Sequence, residues 1–208
     1  MNLLALEFST RQRAVCVSSK SGQQATAATN DLADGPMALI DSVLQEAGLT
    51  PSDIETIAIG LGPGSYTGIR SAIAIAQGFQ LGRSVRLCGI SSADVIAHSS
   101  KMQGEFAVVI DAQRGEFYRA MYRRTNDTIE LISALKIVSP DNLPDQDCTI
   151  IGPEVERLAG RGNNVLPAFT ELARLARNNP AFSEGHELEP IYLRTPEFKK
   201  APPPRQIQ

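Results

Sequence analysis

Two short apolar runs separated by a polar turn open the chain and predict a β-hairpin. The runs are LLALEF (3–8) and RAVCVSS (13–19), and the turn between them reads STRQ. Apolar and branched side chains bounded by polar residues are typical of strands. The polar stretch that follows, through Asn30 and Asp31, predicts a loop.

A helix, a buried strand and a second helix are predicted next. DGPMALIDSVLQEAGL (34–49) repeats apolar side chains at helical spacing, and Asp34 is the expected N-cap. ETIAIGLG (55–62) is apolar over the length of a strand, which is typical of a strand buried on both faces. A glycine-rich loop, GLGPGSYTGIR (60–70), then leads into a helix expected over residues 67–81.

The hairpin pattern returns in the second half of the chain. FAVVIDAQRGEFYRAMYRR (106–124) again reads as strand, turn and strand. In both hairpins the first strand ends in an acid, Glu7 or Asp111, and the turn contains an arginine. This short internal repeat predicts two lobes, residues 1–103 and 104–195, each opening with a hairpin whose turn faces a shared cleft.

The remaining patterns predict three more strands and three more helices. The strands are VRLCGI, IELISALKIV and CTIIG; the helices are one that ends near Ser100, a short one after Pro153 and an amphipathic one around TELARLARNN. The tail, TPEFKKAPPPRQIQ, is rich in proline and charge. Residues 196–208 are therefore expected to be flexible and not to fold on their own.

The composition is that of a soluble globular protein. The 208 residues are 42% hydrophobic and 21% charged, and the formal net charge is −3. This acidic balance disfavours strong binding of nucleic acid by the chain alone, because such binding rests on lysine and arginine. Three cysteines without paired spacing predict reduced thiols in the core, and the apolar runs are too short for a signal peptide or a membrane span. We therefore expect a cytoplasmic protein.

The glycine loop matches none of the common phosphate-binding or nucleophile motifs. It lacks the lysine of GxxxxGK[ST], the spacing of GxGxxG and the first glycine of GxSxG. Two interpretations remain: a tight turn with a helix cap, or an anion site made of backbone N–H groups at the start of a helix. Acids at strand ends would hold hydrated Mg²⁺ in a phosphoryl-transfer site. The candidate nucleotide contacts are Glu7, Ser9, Thr10, Gly62, Gly64, Ser65 and Asp111.

The second helix has almost no polar side, so it needs cover from more than its own sheet. Its small residues permit the close approach of another helix, and the first helix presents an apolar face. One interpretation is burial inside a single domain. The other is an interface, either in a homodimer of the chain alone or with a partner protein. The candidate interface residues are Met37, Ile40, Leu44, Ile69, Arg70, Ala72, Ile73 and Ala76.

With these pieces placed, the chain resembles the TsaB family, also called YeaZ or the non-peptidase glycoprotease homologues. The resemblance is carried by LALEFST, by GLGPGSYTGIR and AIAQGFQLG within residues 60–82, and by CGISSADVIA, VVIDAQRGEFYRAMY and PIYLR further on. These segments span nearly the whole chain in the family's order. The resemblance implies the two-lobed α/β fold of actin, Hsp70 and sugar kinases (ASKHA), in which each lobe combines a β-sheet with helices.

The resemblance also implies a role in forming N6-threonylcarbamoyladenosine at position 37 of tRNAs that read ANN codons. There the chain would be a non-catalytic partner and scaffold of its paralogue TsaD, together with the ATPase TsaE, and would meet tRNA only through the complex. ATP and Mg²⁺ would be held at the partner interface or by the complex, not by this chain alone. The alternative is a kinase-like ATPase that acts on its own through Glu7, Asp111 and the glycine loop.

The histidines set this chain apart from its catalytic paralogue. The resemblance implies that TsaD takes metal ligands from a His-x-x-x-His motif. The two histidines of this chain, His98 and His186, stand alone in the sequence. We therefore expect neither a histidine metal site nor a Ser-His-Asp hydrolase.

Overall fold

The computed structural model describes residues 1–31, 34–153, 155, 160–178 and 181–194. The tail predicted over residues 196–208, and most of the short helix predicted after Pro153, lie outside these ranges. Within the described ranges, no helix is both long enough and apolar enough to cross a membrane.

The first sheet contains five strands: β1 (Leu3–Glu7), β2 (Arg13–Ser18), β3 (Gln24–Thr29), β4 (Thr56–Gly60) and β5 (Arg86–Ile90). Their order across the sheet is β3-β2-β1-β4-β5, with β1 antiparallel to β2 and parallel to β4. The register pairs Leu6 with Ile59. The end of β1, which carries Glu7, therefore lies beside the end of β4, where the glycine loop begins.

The second sheet repeats this topology. Its strands are β6 (Gly104–Asp111), β7 (Phe117–Thr125), β8 (Thr128–Val138), β9 (Thr149–Gly152) and β10 (Asn163–Asn164). Their order is β10-β9-β6-β7-β8, with β6 antiparallel to β7 and parallel to β9. Strand for strand this is the order of the first sheet, so the hairpin β6-β7 is the counterpart of β1-β2. The duplicated architecture predicted from the internal repeat is confirmed.

Within the described residues, four helices cover the sheets: α1 (Pro36–Glu46), α2 (Tyr66–Gly82), α3 (Ser92–Ser99) and α4 (Phe169–Asn178). α1 and α2 pack on one face of the first sheet, and α4 packs on its other face. α3 contacts α4 and also the second sheet, where Ile96 joins the same core cluster as Phe106. The strands before residue 104 form the first sheet and those from residue 104 onwards form the second. α3 and α4, in contrast, each contact elements from the other half of the chain.

Two local predictions at the edge of the first sheet are wrong. The stretch predicted as a polar loop contains β3, which pairs antiparallel with β2. Its small and polar side chains gave no apolar signal, although Ala25 is buried in the core. The residue before α1 is Gly35, and Asp34 does not cap the helix. The Asp34 carboxylate instead accepts a hydrogen bond from the Thr29 hydroxyl (2.8 Å).

The three cysteines are free thiols, as the sequence predicts. Cys16 and Cys88 are buried, and Cys148 is half-buried. Burial raises the pKa of the Cys16 thiol to about 11, against the opposing charge of Arg177. The buried thiols therefore stay protonated at neutral pH and serve as small apolar side chains.

Most of the predicted interface side chains lie in the protein's own core. Six of the eight are at most 6% exposed, namely Ile40, Leu44, Ile69, Ala72, Ile73 and Ala76. They form one cluster with strand residues such as Leu6 and Ile59, because α1 and α2 both pack on this face of the sheet. The folded chain does not present these six side chains to a partner, which corrects the sequence-based assignment. Met37 and Arg70 are exposed.

Glutamate substitutions at two alanines of α2 test this placement. Ala72 is fully buried, whereas Ala74 is exposed. Ala72→Glu is expected to lower the free energy of unfolding by roughly 3 kcal/mol or more, because it forces bulk and an unpaired charge into the core. Ala74→Glu is the matched control and should stay within about 0.5 kcal/mol of the native chain. Urea denaturation followed by circular dichroism measures both. If Ala72→Glu is as stable as the native chain, Ala72 does not face the core and the assignment of the α2 faces is wrong.

Candidate functional site

The glycine loop is held tightly against the first hairpin. The amide of Ser65 donates a hydrogen bond to the carbonyl of Ser9 (2.7 Å). A Cβ atom at Gly64 would overlap that carbonyl, and one at Gly68 would overlap the carbonyl of Phe8. The Ser65 hydroxyl accepts a hydrogen bond from the amide of Gly68 (3.3 Å) and caps α2. The glycines thus permit a close backbone approach, and the loop forms the tight turn and helix cap of the first interpretation.

Glu7 lies beneath this loop and is 1% exposed. Its carboxyl group accepts hydrogen bonds from the amide of Ser9 (2.9 Å) and from the hydroxyl of Ser92 (3.1 and 3.2 Å). A Cβ atom at Gly60 would overlap the carboxyl group. Burial raises the pKa of Glu7, and the hydrogen bonds from Ser9 and Ser92 oppose this rise. A carboxyl enclosed in this way has no open side for a hydrated metal ion.

Asp111 occupies the equivalent position at the end of β6, and its carboxylate is also engaged. One oxygen accepts a hydrogen bond from the amide of Gln113 (2.7 Å), and the other accepts one from the Gln113 side chain (2.9 Å). Gln113 and Arg114 have positive φ angles (63° and 58°) in this tight turn. The described residues contain no group of three or more His, Cys, Asp or Glu side chains placed to hold a metal ion. The two strand-end acids therefore do not fit the magnesium site of a phosphoryl-transfer enzyme.

A cleft of about 1160 Å³ lies between the two lobes. The hairpin turn at 9–12 and the start of α2 line its first side, and residues 110–114 line the opposite side. Of the predicted nucleotide contacts, Ser9, Thr10, Gly64, Ser65 and Asp111 line this cleft, whereas Glu7 and Gly62 lie outside its lining. The sequence interpretation missed its other polar and aromatic lining residues, which include Arg11, Tyr66, Arg114, Tyr192 and Arg194. The arginine common to both hairpin turns was the signal that pointed to two of them.

The segment at 188–194, which contains the PIYLR motif, connects the two lobes beside the cleft. The amide of Ile191 donates to the carbonyl of Leu61 in the first lobe (2.8 Å). Arg194 donates to the carboxylate of Glu116 (2.7 Å) and to the carbonyl of Ala112 (3.0 Å) in the second lobe. Between these anchors, the rings of Tyr192 and Tyr66 contact each other with centroids 5.9 Å apart.

A second and smaller concavity of about 340 Å³ lies between α1 and α2 on the outer surface. It is called the helix groove below, and its lining residues are Met37, Ile75, Gly78, Phe79, Gly82 and Arg83. A Cβ atom at Gly78 or Gly82 would meet no atom within 4 Å. The groove is therefore apolar and open at the two glycines.

The enclosed Glu7 carboxyl predicts a specific dependence of stability on pH. Because its folded-state pKa is raised, the folded state binds the proton more tightly than the unfolded state does. At pH values below the ordinary pKa range of glutamate, Glu7 is protonated in both the folded and the unfolded state and does not lower the free energy of unfolding. Stability falls as the pH rises through that range towards the raised folded-state pKa. Glu7→Gln keeps a hydrogen-bond acceptor for Ser9 and removes the titration.

The Glu7→Gln variant should thus be more stable than the native chain at pH 7. The difference should vanish below about pH 4. Thermal unfolding across this pH range measures it. Glu171→Gln, which changes a partly exposed carboxylate of α4 paired with Arg174, is the control and should show no such crossover. A Glu7→Gln variant that is less stable at pH 7 and gains stability in acid would contradict the assignment.

Comparisons with known proteins agree with this architecture. Residues 17–191 match the family model described as TsaD, tRNA N6-adenosine threonylcarbamoyltransferase. The tRNA threonylcarbamoyladenosine biosynthesis protein TsaB of Escherichia coli K12 is 30% identical over 75% of this chain and 78% of its own length. TsaB of Bacillus subtilis 168 is 25% identical over 77% of this chain and 79% of its own length.

Solved structures show the same fold. YeaZ from Pseudomonas aeruginosa superposes with a TM-score of 0.79 at 26% identity, over 92% of this chain and 99% of that one. A further crystal structure, of an uncharacterized protein with similarity to peptidase YEAZ from Pseudomonas aeruginosa, gives a TM-score of 0.78 at 25% identity. It covers 93% of this chain and 99% of its own. The two-lobed fold implied by the sequence motifs is confirmed, and the chain belongs to the TsaB (YeaZ) family of tRNA threonylcarbamoyladenosine biosynthesis proteins.

Proposed function

We propose that the chain is a non-catalytic partner and scaffold of a TsaD-type threonylcarbamoyltransferase, in the formation of N6-threonylcarbamoyladenosine at position 37 of ANN-decoding tRNAs. The observation that carries the proposal is the helix groove, an apolar concavity on the outer surface of a helix pair. A TsaE-type ATPase and tRNA join through the complex. The chain alone, with a net charge of −3, has little electrostatic attraction for tRNA.

The groove has the features of a helix-packing surface. Met37 at its wall is 48% exposed, and Leu81 at the end of α2 is 91% exposed. Ile75 and Phe79 are half-buried at its floor. Exposed apolar side chains beside small residues favour close packing of a helix from another molecule.

A paralogue of the same fold is the occupant that we infer. The TsaD family model matches 175 consecutive residues of this chain, 17–191, so a TsaD-type protein shares the elements that build the helix pair. Two such proteins can place their equivalent helix pairs face to face around an approximate two-fold axis. A second copy of this chain can do the same, so we expect a homodimer when the paralogue is absent.

The engaged acids favour this role over the kinase-like alternative. Glu7 is enclosed, and both oxygens of Asp111 accept hydrogen bonds from Gln113 of its own turn, so a metal–phosphate complex would have to compete with these bonds. A peptidase role is disfavoured as well, because the Nδ1 atom of His98 lies 2.9 Å from the backbone carbonyl of Asp94 within its own helix. We therefore infer that the partner supplies the catalytic residues.

Gly78→Glu tests the groove without damaging the fold. The new side chain meets open space, and glutamate is a better helix former than glycine, so stability should be unchanged or rise by up to about 0.5 kcal/mol. Binding of the TsaD-type paralogue, measured by calorimetry, should weaken at least roughly tenfold, because the longer side chain fills the groove and carries a charge into an apolar contact. The mass of the isolated chain in solution should shift towards the monomer.

Thr128→Glu is the control for this experiment. It makes the same charge change at an exposed position in the second lobe, at the start of β8. It should leave paralogue binding and the solution mass unchanged. If Gly78→Glu folds and binds the paralogue as the native chain does, the partner surface lies elsewhere.

A further inference from the structure

The strand β8 leaves a long free edge on the second sheet. It is the last strand in the order β10-β9-β6-β7-β8 and, among the described residues, pairs only with β7. Val138 is the only buried residue of its eleven, and the apolar side chains of Leu131 and Ile132 are 51% and 41% exposed. The outward-facing backbone N–H and C=O groups of such an edge can pair with a strand from another chain.

The sequence of β8 is complementary to itself when two copies run in opposite directions. TIELISALKIV (128–138) has Ser133 at its centre. An antiparallel pairing about Ser133 forms the pairs Ile129–Ile137, Glu130–Lys136 and Leu131–Leu135. Because the pairing has a two-fold axis, each of these pairs occurs twice. Apolar side chains thus meet apolar side chains, and each acid meets a base, which are the cross-strand neighbours that stabilise a sheet.

Lys136 lacks a countercharge within its own chain. It lies opposite Arg119 on β7, and like charges placed directly opposite each other are destabilising. Among the described residues, Lys136 makes no ion pair. Glu130 lies opposite Arg123, and its carboxylate is 3.7 Å from the guanidinium group. A second copy would place its own Glu130 beside Lys136 and offset the like-charge contact with Arg119.

The backbone of β8 is compatible with this pairing. Arg119 and Arg123 are four residues apart on β7, so their side chains share one face of the sheet. Their partners on β8 are Lys136 and Glu130, which therefore lie on that same face. The register with β7 shifts on both sides of Ser133. Such irregularities oppose the addition of a straight strand, whereas a second copy carries the same irregularities at the matching positions.

We propose that two copies of this chain associate through β8, in an antiparallel pairing centred on Ser133 that joins their second sheets into one continuous sheet. The pairing spans residues 129–137, so Thr128 and Val138 lie beyond its ends. The surface is separate from the helix groove, because β8 and the groove share no residue. A copy whose groove holds the paralogue therefore keeps β8 free for a second copy.

Charge reversal on β8 tests the pairing, in the Gly78→Glu background so that the helix groove does not contribute. Sedimentation velocity over a range of concentrations measures self-association. The Gly78→Glu chain should still form a reversible dimer at the highest concentrations. Adding Glu130→Lys or Lys136→Glu should weaken this dimer roughly tenfold or more, because each change turns two opposite-charge pairs into like-charge pairs. Lys101→Glu, which reverses a charge at an exposed position outside β8, is the control and should have no effect.

A mixture of the two single variants separates charge pairing from damage to the fold. Where the Glu130→Lys chain meets the Lys136→Glu chain, both pairs again join opposite charges. The mixture should therefore form a heterodimer about as tight as the dimer of the parent chain, while circular dichroism verifies that each variant is folded. The proposal is overturned if the Gly78→Glu chain is monomeric even at the highest concentration, if both single variants self-associate as their parent does, or if the mixture does not associate.

Discussion

The buried carboxyl of Glu7 joins three segments on which the first lobe depends. It lies at the end of β1 and accepts hydrogen bonds from the amide of Ser9 and the hydroxyl of Ser92. The same hydroxyl accepts a hydrogen bond from the amide of Gly62 (3.1 Å), and the amide of Ser92 donates to the Gly62 carbonyl (2.7 Å). The hairpin, the glycine loop and the start of α3 are thus fixed together, and the position of α2 follows from the loop that precedes it.

The strand-end acids of this chain differ in their surroundings from those of enzymes with similar folds. In a two-lobed phosphoryl-transfer enzyme, acids at the strand ends face a metal–nucleotide complex. Here Glu7 is enclosed by the glycine loop, and Asp111 is bound by Gln113 of its own turn. Beside these engaged acids, the cleft between the lobes is lined by Arg11, Arg114, Tyr66 and Tyr192. The outer helix groove is the surface that we propose for a partner.

Much of the fold was readable from the sequence because its signals are local. Strand length, helical periodicity and the two similar hairpins predicted the lobes. The edge strand β3 escaped prediction because its alternation involves alanine and threonine rather than large apolar residues. The packing of α4 on the first sheet could not be predicted, since no local pattern records which sheet a helix covers.

The sites were less predictable than the fold, because they depend on contacts between segments that are distant in the sequence. The apolar surface of α2 indicated an interface, yet most of it is buried against the first sheet and α1. The outer face of α2 instead carries small residues such as Gly78. Glu7 and Asp111 were recognised as a related pair, but their engagement depends on contacts with Ser92 and Gln113. Arg11 and Arg114 are far apart in the sequence, and the fold brings both to the lining of one cleft.

We propose that this chain supports threonylcarbamoyl transfer without supplying a catalytic acid. The most direct measurement is the rate of N6-threonylcarbamoyladenosine formation on tRNA, in a reaction reconstituted from the purified chain, its TsaD-type paralogue and the TsaE-type ATPase. The native chain is compared with a Glu7→Gln, Asp111→Asn double variant. The account predicts that the double variant supports the native rate within about twofold, because neither carboxylate holds a metal or moves a proton. A loss of roughly tenfold or more, in a variant that remains folded and still binds the paralogue, would contradict it.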